Sequence, residues 1–384
     1  MRVLALTHVF PRTDEDPSAP FLLTWAQGLQ AAGVRVVVVA PHDRDLPVRD
    51  VVGGVAVRRV RYAPDALERL AYRGQMHQLA RTPAGLPLAG GLVGALALGA
   101  RDLVRAGRPD VLHVHWWLPG AIAVRLAGLR IPTVLTVHGT DVSLVESTPA
   151  LAPLARWALQ CVDRVEAVSR DLSARLERAV GRRADAVNPM PLATTLPASG
   201  AAARSAGSGP LAVLGVGRFV AAKGFADLIA ALARLEAPAR LTLVGAGPER
   251  LALQAQAAQA GVHLSLPGVL GPDLLAAAYQ MADVVAQPSH REGFGLVAAE
   301  AVAAGVPVVA TDSGGVRDIL DAADLVRVGD VQGLTNALAK VAADLPAARM
   351  RSQSRSRALR TLLSPEASTA RTLTGYRALG LTTP

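Results

Sequence analysis

Short, valine-rich apolar runs recur along this 384-residue chain, and each ends in turn-forming residues. Such runs are typical of parallel strands that are buried on both faces of a sheet. Helical patterns separate them; the first covers residues 20–33 and ends in Gly33, which is suited to stop a helix. We therefore predict alternating strands and helices. The predicted strands are residues 2–8, 34–41, 110–116, 132–139, 161–169, 211–219, 239–247, 262–268, 282–289 and 306–312, with a weak last strand near 325–330.

This alternation is interrupted once, at residues 197–210, which are rich in Ala, Gly, Ser and Pro and have no periodicity. Such composition is typical of a linker. The chain is thus predicted to form two α/β units, each a doubly wound parallel sheet, with a ligand site at the carboxyl ends of the strands. The predicted boundaries are 1–196 for the N-terminal domain, 197–210 for the linker, 211–365 for the C-terminal domain and 366–384 for a C-terminal helical segment.

Composition narrows the class of protein. With 51% apolar and 18% charged residues, the chain is not of a disordered type. Its single cysteine, Cys161, excludes an internal disulfide and fits a reducing compartment. The apolar run near the N-terminus is too short for the core of a signal peptide. These features predict a cytoplasmic protein in which Cys161 is a small buried hydrophobic residue.

The net charge of +9 is distributed unevenly. Residues 49–108 contain ten arginines against four acidic residues, and a second basic cluster covers 340–377. Such surfaces attract nucleotides, phospholipids or nucleic acids, and a merely solvated surface is the alternative. Nucleic acid is the least favoured partner, because aromatic residues make up only 3% and no recognition motif is present.

An uncharged stretch of 16 residues covers positions 85–100. It is shorter than the ~20 residues that span a bilayer, and its five glycines weaken a helix. We interpret it as a buried helix that touches a membrane, with true insertion as the alternative. Together with the basic residues, it predicts peripheral contact with the inner face of a membrane and an acceptor located there.

A glycine turn follows the first strand of the second half. Val220 stands where a dinucleotide fingerprint needs its third glycine after Gly217, and Lys223 is followed by Gly224 rather than the Ser or Thr of a P-loop. Neither nucleotide motif is therefore present. Arg218 and Lys223 nevertheless place two cations in a strand-to-helix loop, which predicts a diphosphate site; incidental charges are the alternative.

The segment "EGFGLVAAEAVAAGVPVVATDSGG" raises a second question, because Glu300 is the only charge between Gly293 and Ala310. Burial of an unpaired carboxylate costs several kcal/mol or more, so Glu300 requires water or a partner. A helix that starts near Gly295 would direct backbone N–H groups at an anion, and carboxylates accept hydroxyls. With Glu292 ahead of this helix, the pattern predicts a sugar nucleotide as ligand; a salt bridge from Glu300 to an arginine is the alternative.

The spacing of Glu292 and Glu300 within this segment, together with "VGRFVAAKG" before it, resembles the retaining glycosyltransferases of family 4. "DVLHVHWWLPG" at 110–120 and "TVHGTD" at 136–141 resemble the first domain of that family. The resemblance covers nearly the whole chain. It implies the GT-B fold, in which two Rossmann-like domains, one on the acceptor side and one that binds the donor, face a cleft and C-terminal helices pack back on the first domain.

The resemblance also implies roles for residues that match the family motifs. Arg218 and Lys223, beside Gly217, would hold the donor diphosphate. The backbone amides of Phe294, Gly295, Leu296 and Val297 would contact phosphate or sugar, and Glu300 would bind the ribose hydroxyls. Two residues carry expected catalytic roles: Glu292 binds hydroxyls of the transferred sugar, and His138, with Asp141 nearby, orients that sugar for front-face attack.

The implied reaction is transfer of a hexose, with retention, from a nucleotide-diphosphate sugar to a glycan, lipid-linked or small-molecule acceptor, without a metal or other cofactor, as in the biosynthesis of cell-envelope glycans. A sugar-nucleotide epimerase and a non-catalytic nucleotide-sugar-binding protein are the alternatives. The chain departs from the family in its glycine-free loop at 8–21, where many members have a Gly-Gly turn, and at Pro191, where many have glycine.

Two patterns resemble metal sites. Asp14-x-Asp16 and Asp43-x-Asp45 are interpreted as solvated loop carboxylates. His113 and His115 share one face of a strand, but no third zinc ligand lies at a usable spacing. We expect Trp116 and Trp117 either to line an acceptor pocket or to close the core.

Overall fold

The computed structural model describes residues 1–73, 76–79, 82–193 and 209–384. Two compact units make up the chain. The first consists of Met1–Ala193 together with Pro365–Pro384, and the second is Thr194–Ser364. Except for its last two residues, the predicted linker over 197–210 lies outside the described residues.

The first unit is built on an eight-stranded sheet with the order β3-β4-β2-β1-β5-β6-β7-β8. All neighbouring strands are parallel except β3 and β4, which are antiparallel. The strands are β1 (Arg2–Leu6), β2 (Arg35–Pro41), β3 (Arg49–Val52), β4 (Val55–Val60), β5 (Val111–His115), β6 (Thr133–Val137), β7 (Arg164–Ala167) and β8 (Ala186–Val187). The helices are α1 (Pro20–Ala31), α2 (Met76–Leu79), α3 (Gly85–Gly107), α4 (Ile122–Ala127), α5 (Thr140–Ser147), α6 (Ala152–Leu159) and α7 (Arg170–Val180).

The second unit contains a six-stranded, fully parallel sheet with the order β11-β10-β9-β12-β13-β14. Its strands are β9 (Leu211–Val216), β10 (Ala239–Val244), β11 (His263–Gly268), β12 (Val284–Gln287), β13 (Val308–Thr311) and β14 (Leu325–Val326). Its helices are α8 (Phe225–Leu232), α9 (Arg250–Gln259), α10 (Pro272–Met281), α11 (Leu296–Ala303), α12 (Val331–Ala343) and α13 (Leu345–Leu362). The prediction of two doubly wound sheets is confirmed.

Each predicted strand is present, and most of them end earlier than predicted because the residues that follow form the loops at the carboxyl edge. The strands predicted over 34–41 and 262–268 end at the predicted residue. The hairpin of β3 and β4 was missed. Its turn consists of Gly53 and Gly54, whose φ angles of +52° and +80° suit a two-residue hairpin turn.

The last helix, α14 (Pro365–Arg377), belongs to the first unit, where it packs against α1. The indole Nε1 of Trp25 donates a hydrogen bond to Thr372 Oγ1 at 3.1 Å. A Cβ atom at Gly28 would lie 2.4 Å from Thr369 Oγ1 and 3.3 Å from the Pro365 carbonyl oxygen. The absence of a side chain at Gly28 therefore lets α14 approach α1.

The glycine-free loop after β1 is held by a buried arginine. Arg59, which is fully buried, donates to the carbonyl oxygens of Phe10 at 3.4 Å and Pro11 at 2.7 Å, and to Tyr72 Oη at 3.0 Å. Its charge is balanced by Asp50 Oδ2 at 3.1 Å. Side-chain donors from β4 thus fix the path of a loop that lacks the family's glycines.

Helix α3 corrects the interpretation of residues 85–100 as a short buried helix. It is 23 residues long, and 28% of its most apolar 18-residue window is buried. Leu92 and Leu96 face the core, whereas Leu86 and Leu98 are each more than 60% exposed. Within the described residues, α3 is the one helix long and apolar enough to cross a membrane, a test that core helices of water-soluble proteins also pass.

The packing of α14 on α1 gives a testable prediction. Gly28→Ala should lower the free energy of unfolding by about 1–3 kcal/mol, because the added methyl group overpacks the contact with Thr369. Gly90→Ala in α3 is the matched control: its Cβ meets nothing within 4 Å, so removing a helix glycine there should stabilise by up to ~1 kcal/mol. Urea unfolding of both variants measures the difference, and equal stabilisation by the two would contradict the packing argument.

Candidate functional site

The candidate site of the second unit lies where its sheet changes direction. Strands β10 and β11 extend to one side of β9, and β12 to β14 extend to the other. Ligands of open α/β sheets bind outside the carboxyl ends of the strands at this switch point. Lys223 follows β9, and Glu292 follows β12, so the topology brings together two residues that are 69 positions apart in sequence.

These two residues form an ion pair. Lys223 Nζ lies 2.5 Å from Glu292 Oε1, which also accepts a hydrogen bond from Ser289 Oγ at 2.7 Å. Their side chains keep only 22% and 12% of their exposure. The sequence had predicted separate ligands for them, phosphate for Lys223 and sugar hydroxyls for Glu292, and gave no sign of this pair or of Ser289. Both groups are therefore preorganised at one point.

Close backbone contact sets the distance between the two loops. Gly224 has φ +65°, and a Cβ atom there would lie 2.0 Å from the carbonyl oxygen of Pro288. The His290 backbone N–H donates to the Ala222 carbonyl at 2.9 Å, and its Nε2 lies 2.7 Å from Asp227 Oδ2. Only glycine at 224 permits this approach, which places the loop of Lys223 against the loop of Glu292.

Arg218 lies in the same loop as Lys223, directly after Gly217, whose φ is +151°. Desolvation by the surrounding protein lowers the pKa of the Arg218 guanidinium, and the nearby Glu292 carboxylate opposes that shift. The residue itself is exposed, so it remains a charged group at the surface of the loop. The loop thus presents two cations, Arg218 and Lys223, near the Glu292 carboxylate.

The amino end of α11 corresponds to the predicted anion site. Gly295 precedes the helix with φ +99°, and a Cβ atom there would lie 2.9 Å from Val316 Cγ2. The Phe294 ring is buried in the core, whereas Leu296 and Val297 are half-buried. The sequence analysis missed Gln287, at the end of β12, whose Oε1 accepts the N–H of Ala298 at 2.8 Å. That N–H is therefore already satisfied by the protein, and the amides before it point to the helix entrance.

Glu300 has a partner that the sequence analysis did not identify. The hydroxyl of Tyr279, on α10, donates to Glu300 Oε2 at 2.6 Å. Tyr279 is fully buried, and burial together with the Glu300 carboxylate raises the pKa of its phenol well above the usual value. A buried tyrosine needs a hydrogen-bond acceptor, and this requirement was the available signal in the apolar α10 sequence. Glu300 itself is half-buried.

The carboxyl edge of the first sheet carries a cluster of aromatic rings. His113 and His115 stack with centroids 4.7 Å apart, and His115 Nδ1 lies 3.1 Å from His138 Nε2. Trp116 lies against His138, with ring centroids 4.2 Å apart and ring planes tilted by 31°, and it contacts His8 edge-on at 4.5 Å. The strands β1, β5 and β6 are neighbours in the sheet, so their ends place these residues side by side.

Burial keeps these histidines neutral. It lowers the pKa of His8 from 6.5 to about 4 and that of His113 to about 3. The pKa values of His115 and His138 are also well below normal, first because of burial and then because of the neighbouring imidazoles. The cluster is an uncharged hydrogen-bonding surface at neutral pH.

Asp141 supports the His138 loop rather than facing outward. It is buried, and its Oδ1 accepts the backbone N–H groups of His138, Gly139 and Val142 at 3.3, 2.9 and 3.0 Å. Burial raises the pKa of the carboxyl, and the three backbone donors oppose that shift. This carboxylate organises the turn that leads into α5.

The two tryptophans after β5 have different surroundings. Trp117 is fully buried and donates from Nε1 to the Asp141 carbonyl at 2.9 Å, so it closes the core. Trp116 is 7% exposed and lies against His138. From the sequence, either tryptophan could have lined an acceptor pocket or closed the core.

The prediction that both Asp-x-Asp patterns consist of solvated carboxylates is wrong for one aspartate of each pattern. Asp16 and Asp43 are buried rather than solvated, because Arg12 pairs with both at 2.5 and 3.0 Å. Asp14 and Asp45 are exposed. The buried carboxylates already have cationic partners.

The described residues contain one group of three or more side chains that could hold a metal: His42, Asp65 and Glu68. His42 contacts Glu68 Oε2 through Nδ1 at 2.5 Å and the Leu46 carbonyl through Nε2 at 2.7 Å, and Asp65 pairs with Arg61 at 2.5 Å. Protein groups thus already occupy its ligand atoms. His113, which shares a strand face with His115, is likewise bonded through both ring nitrogens, to Tyr376 Oη and Thr136 Oγ1 at 2.8 Å each.

Comparison with known protein families gives two matches. Residues 18–193 match the model of the glycosyl transferase 4-like domain, and residues 203–357 match that of glycosyl transferases group 1. A D-inositol 3-phosphate glycosyltransferase of Xylanimonas cellulosilytica is 33% identical over 333 residues, 78% of this chain and 75% of that protein. The N-acetyl-alpha-D-glucosaminyl L-malate synthase of Bacillus anthracis is 30% identical over 261 residues, 63% of this chain and 68% of the relative.

Solved structures show the same fold. Sucrose-phosphate synthase from Thermosynechococcus elongatus superposes with a TM-score of 0.81 at 22% identity and covers 99% of each chain. HepE of Anabaena, solved with UDP and glucose, gives a TM-score of 0.73 at 18% identity, over 98% of this chain and 100% of that one. At these identities the similarity establishes the fold alone.

The neutral histidine cluster predicts how stability depends on pH. Below pH 6.5 an unfolded histidine binds a proton that folded His8 or His113 does not bind until about pH 4 or 3. The unfolded chain therefore binds more protons than the folded chain in this window. The contribution of the buried histidines to the free energy of unfolding should be fully present above about pH 6.5 and should decrease as the solution is acidified. Urea unfolding between pH 7.5 and 4 measures this slope.

His113→Gln should make that slope shallower, because one buried imidazole is removed. His263→Gln, at an exposed position of β11, is the matched control. A slope that is unchanged by His113→Gln would show that acid acts elsewhere in the chain.

Proposed function

Because the chain belongs to family 4 of the GT-B glycosyltransferases, we propose that it transfers a hexose from a nucleotide-diphosphate sugar to an acceptor hydroxyl, with retention of anomeric configuration and without a metal cofactor. The observation that carries this proposal is the contact of Lys223 with Glu292 beside the amino end of α11. It places a cation for phosphate and a carboxylate for sugar hydroxyls at one point of the switch-point site.

The proposed donor site uses these groups in sequence along the ligand. Arg218, Lys223 and the amides at the start of α11 bind the diphosphate. Because the diphosphate competes with Glu292 for Lys223, donor binding loosens the ion pair and frees a carboxylate lone pair for the sugar hydroxyls. Glu300, oriented by Tyr279, accepts the ribose hydroxyls. Each group therefore has a ligand atom of matching chemistry.

The chemical step follows from this arrangement. The bond between the anomeric carbon and the diphosphate oxygen breaks, and the acceptor oxygen forms a bond to the same face of that carbon. The acceptor proton passes to the departing diphosphate, so the products are a glycoside and a nucleoside diphosphate. Lys223 and Arg218 stabilise the negative charge that grows on the leaving group, and Glu292 holds the sugar in place. His138 is the proposed orienting group for the same sugar.

The thermal stability of the protein with nucleotides tests the donor site. One nucleoside diphosphate among UDP, GDP, ADP and dTDP should stabilise the protein, by about 2.7 kcal/mol at a concentration of 100 Kd. Glu300→Ala should abolish most of this shift, because the ribose hydroxyls lose their acceptor. Glu236→Ala, at an exposed position, is the matched control.

Stabilisation by NAD alone would contradict the assignment of Glu300 and favour a dinucleotide enzyme. An equal shift in Glu300→Ala and the wild type would place the ribose elsewhere. Transfer assays with the stabilising nucleotide's sugars then identify the hexose, and the anomeric configuration of the product tests retention.

We further propose that the protein works in the cytoplasm at the inner face of a membrane, where it meets a glycan or lipid-linked acceptor. Two exposed leucines of α3, Leu86 and Leu98, lie on the same helix as the exposed arginines Arg101 and Arg105. Apolar side chains beside arginines fit a bilayer with anionic headgroups.

Co-sedimentation with vesicles tests this membrane contact. Vesicles with anionic lipid should bind the protein and neutral vesicles should not, and high salt should weaken binding. Replacement of Leu86 and Leu98 by glutamine should reduce binding severalfold. Leu251→Gln, an exposed leucine of α9, is the control. Binding that ignores the anionic lipid would contradict the proposal.

A further inference from the structure

Both ring nitrogens of His138 contact protein atoms of the first unit. Nδ1 lies 3.4 Å from the thioether sulfur of Met190, and Nε2 lies 3.1 Å from Nδ1 of His115. His115 is 3% exposed, and among the described residues no group hydrogen-bonds to its other nitrogen, Nε2. These contacts together determine where the protons are.

A thioether can only accept a hydrogen bond, so the Met190 contact requires a proton on Nδ1 of His138. A neutral imidazole carries a single N–H, and burial keeps both histidines neutral. The Nε2 atom of His138 is therefore an acceptor. The proton between the two rings belongs to Nδ1 of His115, which leaves Nε2 of His115 as a lone pair.

We propose that His115 is a positioning residue: its Nδ1–H holds His138 in the Nδ1–H tautomer, so that His138 donates a hydrogen bond to a hydroxyl of the transferred sugar. This inference rests on the proposed function for its ligand, but the tautomer itself does not. It also excludes one role. Nδ1 of His138 already carries a proton and Nε2 faces His115, so His138 does not remove the proton of the acceptor.

Packing holds both rings in the required planes. His115 stacks on His113, with ring planes 15° apart, and His113 is fixed by its bonds to Tyr376 and Thr136. His138 lies between Trp116 at 4.2 Å and Phe21 at 5.3 Å. A rotated ring would lose these contacts, so the hydrogen bond from His115 decides only the tautomer.

The backbone at Trp116 supports the same conclusion. Its φ of +65° is unfavourable for a bulky residue, and its indole Nε1 is held by Thr140 Oγ1 at 3.1 Å. Such strain persists only where surrounding contacts fix it, and it is concentrated at functional positions. Here it places the indole against His138, with the two ring planes 31° apart.

Replacement of the Met190 contact at His138 Nδ1 by a sugar hydroxyl is chemically favourable. A sugar hydroxyl oxygen is a stronger acceptor than the Met190 thioether, so a sugar that approaches His138 replaces a weak bond with a better one. The donor is ready before the sugar arrives, because His115 has already set the tautomer. The benefit is preorganisation rather than acid–base chemistry.

Nitrogen NMR of histidine-labelled protein tests the tautomer directly, because the chain has only eight histidines. His138, assigned from the His138→Gln spectrum, should show the Nδ1–H form throughout pH 6–8. His115→Asn, whose amide nitrogen replaces Nδ1, should keep this form, and His115→Phe should populate the Nε2–H form. An Nε2–H form in the wild type would overturn the proposal even if no variant folded.

Kinetics tests the consequence for the reaction. His115→Phe should lower kcat about tenfold, the effect of one lost hydrogen bond, and His115→Asn should recover most of it. In the His138→Ala background the same change at 115 should have little further effect, because the two residues act through one bond. Equal losses in both backgrounds would assign His115 a merely structural role.

The two experiments fail in different ways. If no nucleotide sugar supports transfer while His138 shows the Nδ1–H form, the proposed function fails and the role of His115 in setting the tautomer stands. If transfer occurs and His138 shows the other tautomer, only the inference about His115 fails.

Discussion

Parallel strand pairing is the constraint on which the rest of this structure depends. Because parallel strands all end at the same edge of a sheet, residues that follow different strands meet there although they are distant in sequence. In the second unit this brings Lys223, after β9, to Glu292, after β12. In the first unit the same rule sets His8, His115 and His138 beside one another at the ends of β1, β5 and β6.

The carboxyl edges of the two sheets differ in their electrostatics. The second unit places charges together, and each has a partner: Glu292 has Lys223 and Ser289, and Glu300 has Tyr279. The first unit gathers imidazoles whose burial would make any charge costly, so they remain neutral and interact by stacking and hydrogen bonds. A charged surface suits phosphate and hydroxyls, and a neutral surface suits the uncharged part of a sugar.

Backbone proximity matters as much as side-chain chemistry at the edge of the second sheet that carries Lys223 and Glu292. The approach of the Gly224 loop to Pro288 allows the Lys223 contact, and the positive φ of Gly295 lets the chain enter α11 over the loop of Val316. Away from the site, buried Arg59 performs a related task with side-chain donors, fixing the loop after β1 without glycine. The same need, a defined loop at the edge of a sheet, is met here by two different means.

The sequence by itself determined the alternation of strands and helices, the two sheets and the motif residues of the proposed donor site, because buried strand periodicity and glycine turns are local properties. It missed the β3–β4 hairpin, because arginines and an aspartate interrupt the valines of both strands and leave no continuous apolar run. Tertiary structure alone decided the partners: Tyr279 for Glu300, Lys223 for Glu292, and His115 for His138. These contacts join residues 21 to 69 positions apart, and such pairs depend on sheet order, which no local pattern encodes.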